Sequence, residues 1–205
     1  MEEFGWIKLD LPGHERLLEL LRIYSKGDLK GKRILVIGDN VGHLTSHLLT
    51  KLGMDAYGIN MSGKKFADSL EAVKEGRLIA GNAMHLREHF GDQKFDFVVS
   101  NATMSPQGLG AGRFGRIIKK HGLDRIFLSI SEGLLLDRLR WRAYAKTSSQ
   151  IHRAVFAQLN KGGLAIHVVY ENEEIPNQTK ELASIGFGVL HRRNNELVLR
   201  RYNRE

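Results

Sequence analysis

The chain has 205 residues, with 31 Lys and Arg against 23 Asp and Glu, nine His, no Cys and a formal net charge of +8. That length and an apolar fraction of 42% suffice for one well-cored α/β domain, and they exclude a disordered or fibrous chain. Without cysteine there are no disulfides, thiolate metal sites or cysteine nucleophile, and no apolar run approaches the ~20 residues of a membrane span. The opening Met1-Glu2-Glu3-Phe4 is acidic where a secretory leader is basic, so a cytosolic protein is expected.

Leu17, Leu18, Leu21 and Tyr24 are spaced for a helix over 13–26, between Pro12 and Gly27. Arg33-Ile-Leu-Val-Ile-Gly38 reads as a strand buried on both faces, and His43 to Leu52 as a helix stopped by Gly53. A strand over Asp55–Ile59, a helix over Lys64–Glu75 and a strand over Arg77–Ala80 follow. A short helical stretch at Met84–His89 precedes the strand Phe95–Ser100. Residues 101–115 hold four glycines and one proline and read as a loop, while Leu123–Ile130 fits a strand or a helix start equally. A helix is expected over Glu132–Lys146, continued or restarted over Ser148–Leu159, then a strand over Leu164–Tyr170 and a helix over Glu173–Ile185. Gly188–Arg193 and Glu196–Tyr202, joined at Asn194-Asn195, predict a hairpin.

Strands alternating with helices predict right-handed crossovers and a mainly parallel sheet in one domain, finished by the hairpin. Ligands of such sheets sit beyond the carboxyl ends of the strands, so those positions are the candidate site. After the first strand comes Gly38-Asp39-Asn40-Val41-Gly42 and a helix start, where free N–H groups would meet an anionic ligand; a merely tight turn fits the same residues. The second strand ends at Asn60-Met61-Ser62, where Asn60 can bond ribose hydroxyls or simply cap the next helix. The third ends at Gly81-Asn82-Ala83, where Asn82 can donate to and accept from an adenine edge. The fourth ends at Ser100-Asn101, a polar pair opening the glycine-rich loop.

In order and spacing these stations resemble the class I S-adenosylmethionine-dependent methyltransferases, over roughly residues 30–101 and 150–202. Ile34-Leu-Val-Ile-Gly-Asp-Asn-Val-Gly42 is similar to that family's glycine-rich first motif, and Tyr57-Gly-Ile-Asn60 to its ribose-binding strand end. Gly81-Asn82-Ala83 is similar to its adenine turn, Phe95 to Asn101 to its fourth motif, and Leu159-Asn-Lys-Gly-Gly-Leu164 to its turn into the fifth strand. The resemblance implies a three-layer αβα Rossmann-like fold with a seven-stranded sheet ending in an antiparallel hairpin. It implies S-adenosylmethionine as cofactor, held by Gly38, Asn40, Gly42, Asn60, Met61, Asn82, Ala83 and Ser100, with Asn101 facing the methyl acceptor. Three carboxylates usual in the family are replaced here by Val36, Asn60 and Asn82, which implies weaker cofactor binding or a relative that keeps the fold as an RNA-binding or assembly module. A nicotinamide enzyme fits the Gly-x-Asn-x-Gly spacing and the terminal hairpin poorly.

Charge is distributed unevenly. Residues 1–105 carry 14 basic and 14 acidic side chains, whereas residues 106–146 carry nine against three and residues 191–205 five against two. The segment 106–147 is longer than the family's usual link at this point, and Arg113, Arg116, Lys119, Lys120, Arg138 and Arg142 make it a candidate contact for RNA or another anionic acceptor. Trp141, Phe114 and Tyr144 could stack a base, although ordinary core packing is the commoner use of such aromatics. Arg192, Arg193, Arg200, Arg201 and Arg204 are expected to decorate edge strands. The pairs His43, His47 and His85, His89 recur at helical spacing without a completing carboxylate, which fits solvated helix faces better than a metal site.

Overall fold

Short β-branched runs flanked by amphipathic segments build a layered sheet, seen in a computed structural model that describes residues 14–39, 42–61, 70–101, 133–169, 178–193 and 195–202, with the backbone alone over 133–143. The strands are β1 (Arg33–Ile37), β2 (Asp55–Asn60), β3 (Leu78–Ala80), β4 (Phe95–Asn101), β5 (Leu159–Val168), β6 (Phe187–Arg193) and β7 (Glu196–Arg201). The helices are α1 (His14–Ser25), α2 (His43–Leu52), α3 (Glu71–Lys74), α4 (Leu86–Phe90), α5 (Gly133–Gln158) and α6 (Thr179–Ile185), with a 3₁₀ turn at Ala83–His85.

The seven strands lie in the order β3-β2-β1-β4-β5-β7-β6. All pairs are parallel except β5 with β7 and β7 with β6. Strand order reverses between β1 and β4, which places the ligand-binding crevice beyond their carboxyl ends.

Both sheet faces are covered, as the apolar runs require. On one face Ile34, Val36, Val99, Ile166 and Val198 pack with Leu17, Leu21, Leu44 and Leu48 of α1 and α2. On the other, Leu35, Ile37, Val98 and Ala165 pack with Leu86, Phe90, Ile151, Val155 and Leu182 of α4, α5 and α6. At roughly 1.5–3 kcal/mol for each large side chain removed from water, these two layers supply the main stabilisation.

The expected elements are present where residues are described; of the two readings at Ser148 the structure has the continuation, one 26-residue helix α5, because nothing at Thr147 breaks it. Two differences appear. Strand β5 begins at Leu159 rather than Leu164: Leu159 pairs with Phe95 and Leu164 with Phe97, so Asn160–Gly163 bulges out, held by a 2.8 Å bond from Asn160 Nδ2 to Asp96. Only β6 of the hairpin is an edge, so Arg192 and Arg193 fit the expected role, whereas Arg200 and Arg201 lie on the interior strand β7. Arg201 donates to the Leu159 carbonyl and covers the Phe156 ring at 4.6 Å. Residues 102–132, which hold most of the loop expected over 101–115 and the undecided segment 123–130, lie outside the described residues, as do the first parts of the helices expected from Lys64 and Glu173.

Helix α1 is fastened to the hairpin by Glu196, which accepts from Arg16 Nε at 2.7 Å and Nη2 at 3.0 Å and lies 2.8 Å from His191 Nε2. The Arg16 bond holds the buried Glu196 carboxyl below its ordinary range. A carboxyl with a depressed pKa stabilises above its unfolded value and loses that contribution as pH falls through the folded one. Glu196→Gln is expected to cost roughly 1–2 kcal/mol at pH 7 in urea unfolding, a difference that shrinks below about pH 4 as the wild-type carboxyl protonates.

Candidate functional site

The register brings the expected stations side by side. Ile37 pairs with Ile59 and with Ser100, and Asn60 pairs with Ala80. The Gly38 N–H donates to the Ile59 carbonyl at 2.8 Å and the Gly81 N–H to the Asn60 carbonyl at 3.0 Å, so the turns after β1, β2 and β3 form one rim. Gly38, Asn60, Met61, Asn82 and Ala83 lie along it, with Asn101 across the switch point. Asn40 lies outside the described residues.

Gly42 starts α2 at φ 100°, in the left-handed region, and a Cβ there would fall 2.2 Å from Leu78 Cδ1. The backbone conformation is what requires glycine; the Leu78 side chain of β3 seated against it would have to shift to admit a Cβ.

The N-terminus of α2 differs from expectation. Its N–H groups were expected to be open to an anionic ligand; instead Asp39, buried at 6% exposure, takes them with its carboxylate, accepting from Leu44 N at 3.0 Å and Thr45 N at 2.7 Å. Burial pushes the Asp39 pKa up to about 6, so the group is mostly ionised at neutral pH. Val36, by contrast, is sealed in the apolar layer beneath α1 and α2. An acid is therefore present at this rim three residues after the position the resemblance points to, and it neutralises the helix end from within.

Asn60 is half-buried at the end of β2, and Met61 beside it is 65% exposed, open to a ligand. Asn82 caps the 3₁₀ turn, its Oδ1 accepting from Met84 N at 3.0 Å. That oxygen was expected to serve an adenine edge; with a lone pair committed to the backbone, the amide NH₂ is the group it chiefly presents. Asn82→Ala is expected to cost about 1 kcal/mol in chemical unfolding without ligand, through loss of this cap.

Ser100 and Asn101 part company because neighbours on a strand point to opposite faces. Asn101 is buried at 8% exposure at the end of β4. Ser100 is fully buried under α5, its Oγ 2.9 Å from Nδ1 of His167, its register partner on β5. Its hydroxyl is turned away from the rim, contrary to the ligand contact expected of it. The His167 ring lies edge-on to His152 of α5, with centroids 5.3 Å apart. His152 Nδ1 lies 3.3 Å from Ser148 Oγ, which also donates to Gln178 at 3.1 Å. Burial lowers the His152 pKa to about 4 and His167 well below its ordinary value, so both rings are neutral. Neither Nε2 has a hydrogen-bond partner among the described residues.

This chain of buried polar groups was not foreseen; its only sequence signals are a histidine inside an apolar strand and a Ser-His pair at i,i+4. Tyr144 is buried at 1% exposure in the same layer, so it does not stack a base. His14 was also missed. It is buried beside His43 and His47, and burial lowers its pKa to about 4. Among the described residues no group of three metal-ligating side chains could hold an ion, and no helix is long and apolar enough to cross a membrane. Arg113, Arg116, Lys119 and Lys120 lie outside the described residues, as do the side chains of Arg138 and Arg142, whose backbone belongs to α5.

No protein-family model matches the sequence, and no curated protein sequence matches it significantly. Solved structures do match in fold. A Burkholderia thailandensis 1,6-didemethyltoxoflavin-N1-methyltransferase, with bound S-adenosylhomocysteine, superposes with TM-score 0.60 at 12% identity, over 95% of this chain and 80% of that one. The 16S rRNA N2 G1207 methyltransferase RsmC of Thermus thermophilus gives 0.55 at 14% identity, over 98% of this chain and 45% of that one. TrmN from Thermus thermophilus gives 0.53 at 16%, over 90% and 48%, so the chain spans about half the length of these last two proteins. The chain has the Rossmann-like fold of the class I S-adenosylmethionine-dependent methyltransferases.

Proposed function

We propose that the chain transfers a methyl group from S-adenosylmethionine to an anionic acceptor, RNA foremost. The observation that carries this reading is the single rim formed by the turns after β1, β2 and β3, with Asn101 ending β4 on the other side of the switch point. The groups fit an adenosine: Asn60 for the ribose hydroxyls, the Asn82 amide with Ala83 for the base, and the Gly38–Gly42 turn, including Asn40, for the methionine end. Bound there, S-adenosylmethionine supplies a methyl group carried on a sulfonium. The ionised Asp39 behind the turn favours the cationic ammonium and sulfonium of such a ligand over its carboxylate. Asn101 does not titrate, so its part is to orient the acceptor by hydrogen bonding, and proximity supplies most of the rate. Arg113, Arg116, Lys119, Lys120, Arg138 and Arg142 follow β4 in the chain and would bring an anionic acceptor towards the crevice.

A specific observation favours a second reading, in which the fold serves as an RNA-binding or assembly module without catalysis. Asp39 takes two of the helix-end donors, and Asn60 and Asn82 are neutral. Incubation with methyl-labelled S-adenosylmethionine and total RNA separates the two. Label in RNA that is lost in Asn101→Ala supports transfer; salt-sensitive RNA binding with no label at any cofactor concentration favours the module.

A further inference from the structure

Helix α5 has a second face that the rim does not use. Its buried side carries Tyr144, Ser148, Ile151, His152 and Val155; opposite them, Lys146, Gln150, Arg153 and Ala157 are exposed. Lys146, Gln150 and Arg153 are spaced i, i+4 and i+7 and so share one face, spanning about 10 Å along the helix. Between this face and the 3₁₀ turn with α4 runs an open groove of about 610 Å³. Met84, Gln150 and Ala154 contribute to its lining, with Arg87 and Arg153 on opposite walls. It begins two residues after Asn82, so it adjoins the adenine end of the rim.

The cations of the groove are weakly paired. Neither Arg153 nor Lys146 makes an ion pair among the described residues, and Arg87 meets Asp92 only loosely, at 3.4 Å with both side chains more than 80% exposed. Glu88, the one acid lining the groove among the described residues, lies 3.1 Å from His85 Nδ1. Fork-shaped guanidinium groups on both walls suit phosphate oxygens, the Met84 thioether offers a base an apolar surface, and the Gln150 amide can read a base edge.

We infer that this groove is a binding site for single-stranded RNA, with Arg153 and Arg87 of its walls on the phosphates, Gln150 at a base, and Lys146, one helical turn beyond the lining on the same face, meeting the strand as it leaves the groove. The inference rests on the acceptor class proposed above but not on methyl transfer. Anisotropy of a labelled mixed-sequence 20-nucleotide RNA, titrated with the full chain between 50 and 200 mM KCl, tests it. Lys146→Glu/Arg153→Glu is expected to weaken binding at least about tenfold and to lower the salt slope by about 1.4, the share of two phosphate contacts on a single strand. Arg192→Glu/Arg193→Glu, an equal charge change on the distant edge strand β6, is expected to change affinity by no more than about twofold. Equal losses in both double variants would overturn the site, as would wild-type protein that does not bind the RNA. Polyglutamate that binds more tightly than RNA, and is itself sensitive to the groove variant, would replace RNA by an acidic protein. A failed S-adenosylmethionine titration would leave the groove result standing.

Discussion

Stability is expected to fall by at least about 3 kcal/mol between pH 7 and pH 4, beginning above the range in which ordinary carboxylates protonate. His14 and His152 are buried with pKa values lowered from 6.5 to about 4, and His167 is lowered further. A histidine whose folded pKa is depressed binds fewer protons folded than unfolded, so its contribution is complete above 6.5 and lost as pH falls towards 4. At 1.36 kcal/mol per pKa unit, His14 and His152 each account for about 3 kcal/mol. Asp39 opposes them. Its pKa is raised from 3.8 to about 6, so the folded chain gains protons ahead of the unfolded one and recovers about 3 kcal/mol over that window. Three histidines against one aspartate leave a net loss. Urea unfolding at half-unit pH steps measures it, and in His152→Phe the slope should ease by one histidine's share. A stability curve flat from pH 7 to 4.5 would show these rings to be hydrated.

The second large effect concerns the rim. Asn60→Asp with Asn82→Asp is expected to tighten S-adenosylmethionine binding about 30-fold. A hydrogen bond to a charged group is worth about 1.5–3 kcal/mol and a neutral one about 1, so each substitution adds about 1 kcal/mol. The carboxylate introduced at position 82 would keep the cap on Met84 N with one oxygen and, in place of the donor that Asn82 presents, accept from the adenine amino group with the other. Calorimetric titration of the double variant beside the wild type measures the gain. Unchanged affinity would mean that the two side chains do not touch the ligand.

The fold was legible because backbone requirements write themselves into sequence. Buried parallel strands need unbroken runs such as Ile34 to Ile37 and Phe97 to Val99, and the tight turn into α2 needs Gly42. The order of the four stations follows from those runs alone. What stayed hidden depends on contacts between distant residues. Ser100 and His167 are 67 positions apart and meet only through the β4–β5 register. Asp39 looked like one more turn residue until α2 was seen to direct Leu44 and Thr45 N–H onto it. Arg201 read as an edge charge because sequence does not say that β7 lies inside β6.

The central claim is that the rim after β1, β2 and β3 binds S-adenosylmethionine. Isothermal titration of the wild-type chain with S-adenosylmethionine at pH 7.5 tests it most directly. Saturable binding below millimolar concentration is expected, strengthened in the Asn60→Asp/Asn82→Asp variant. No heat of binding at millimolar ligand, in wild type and double variant alike, would contradict it.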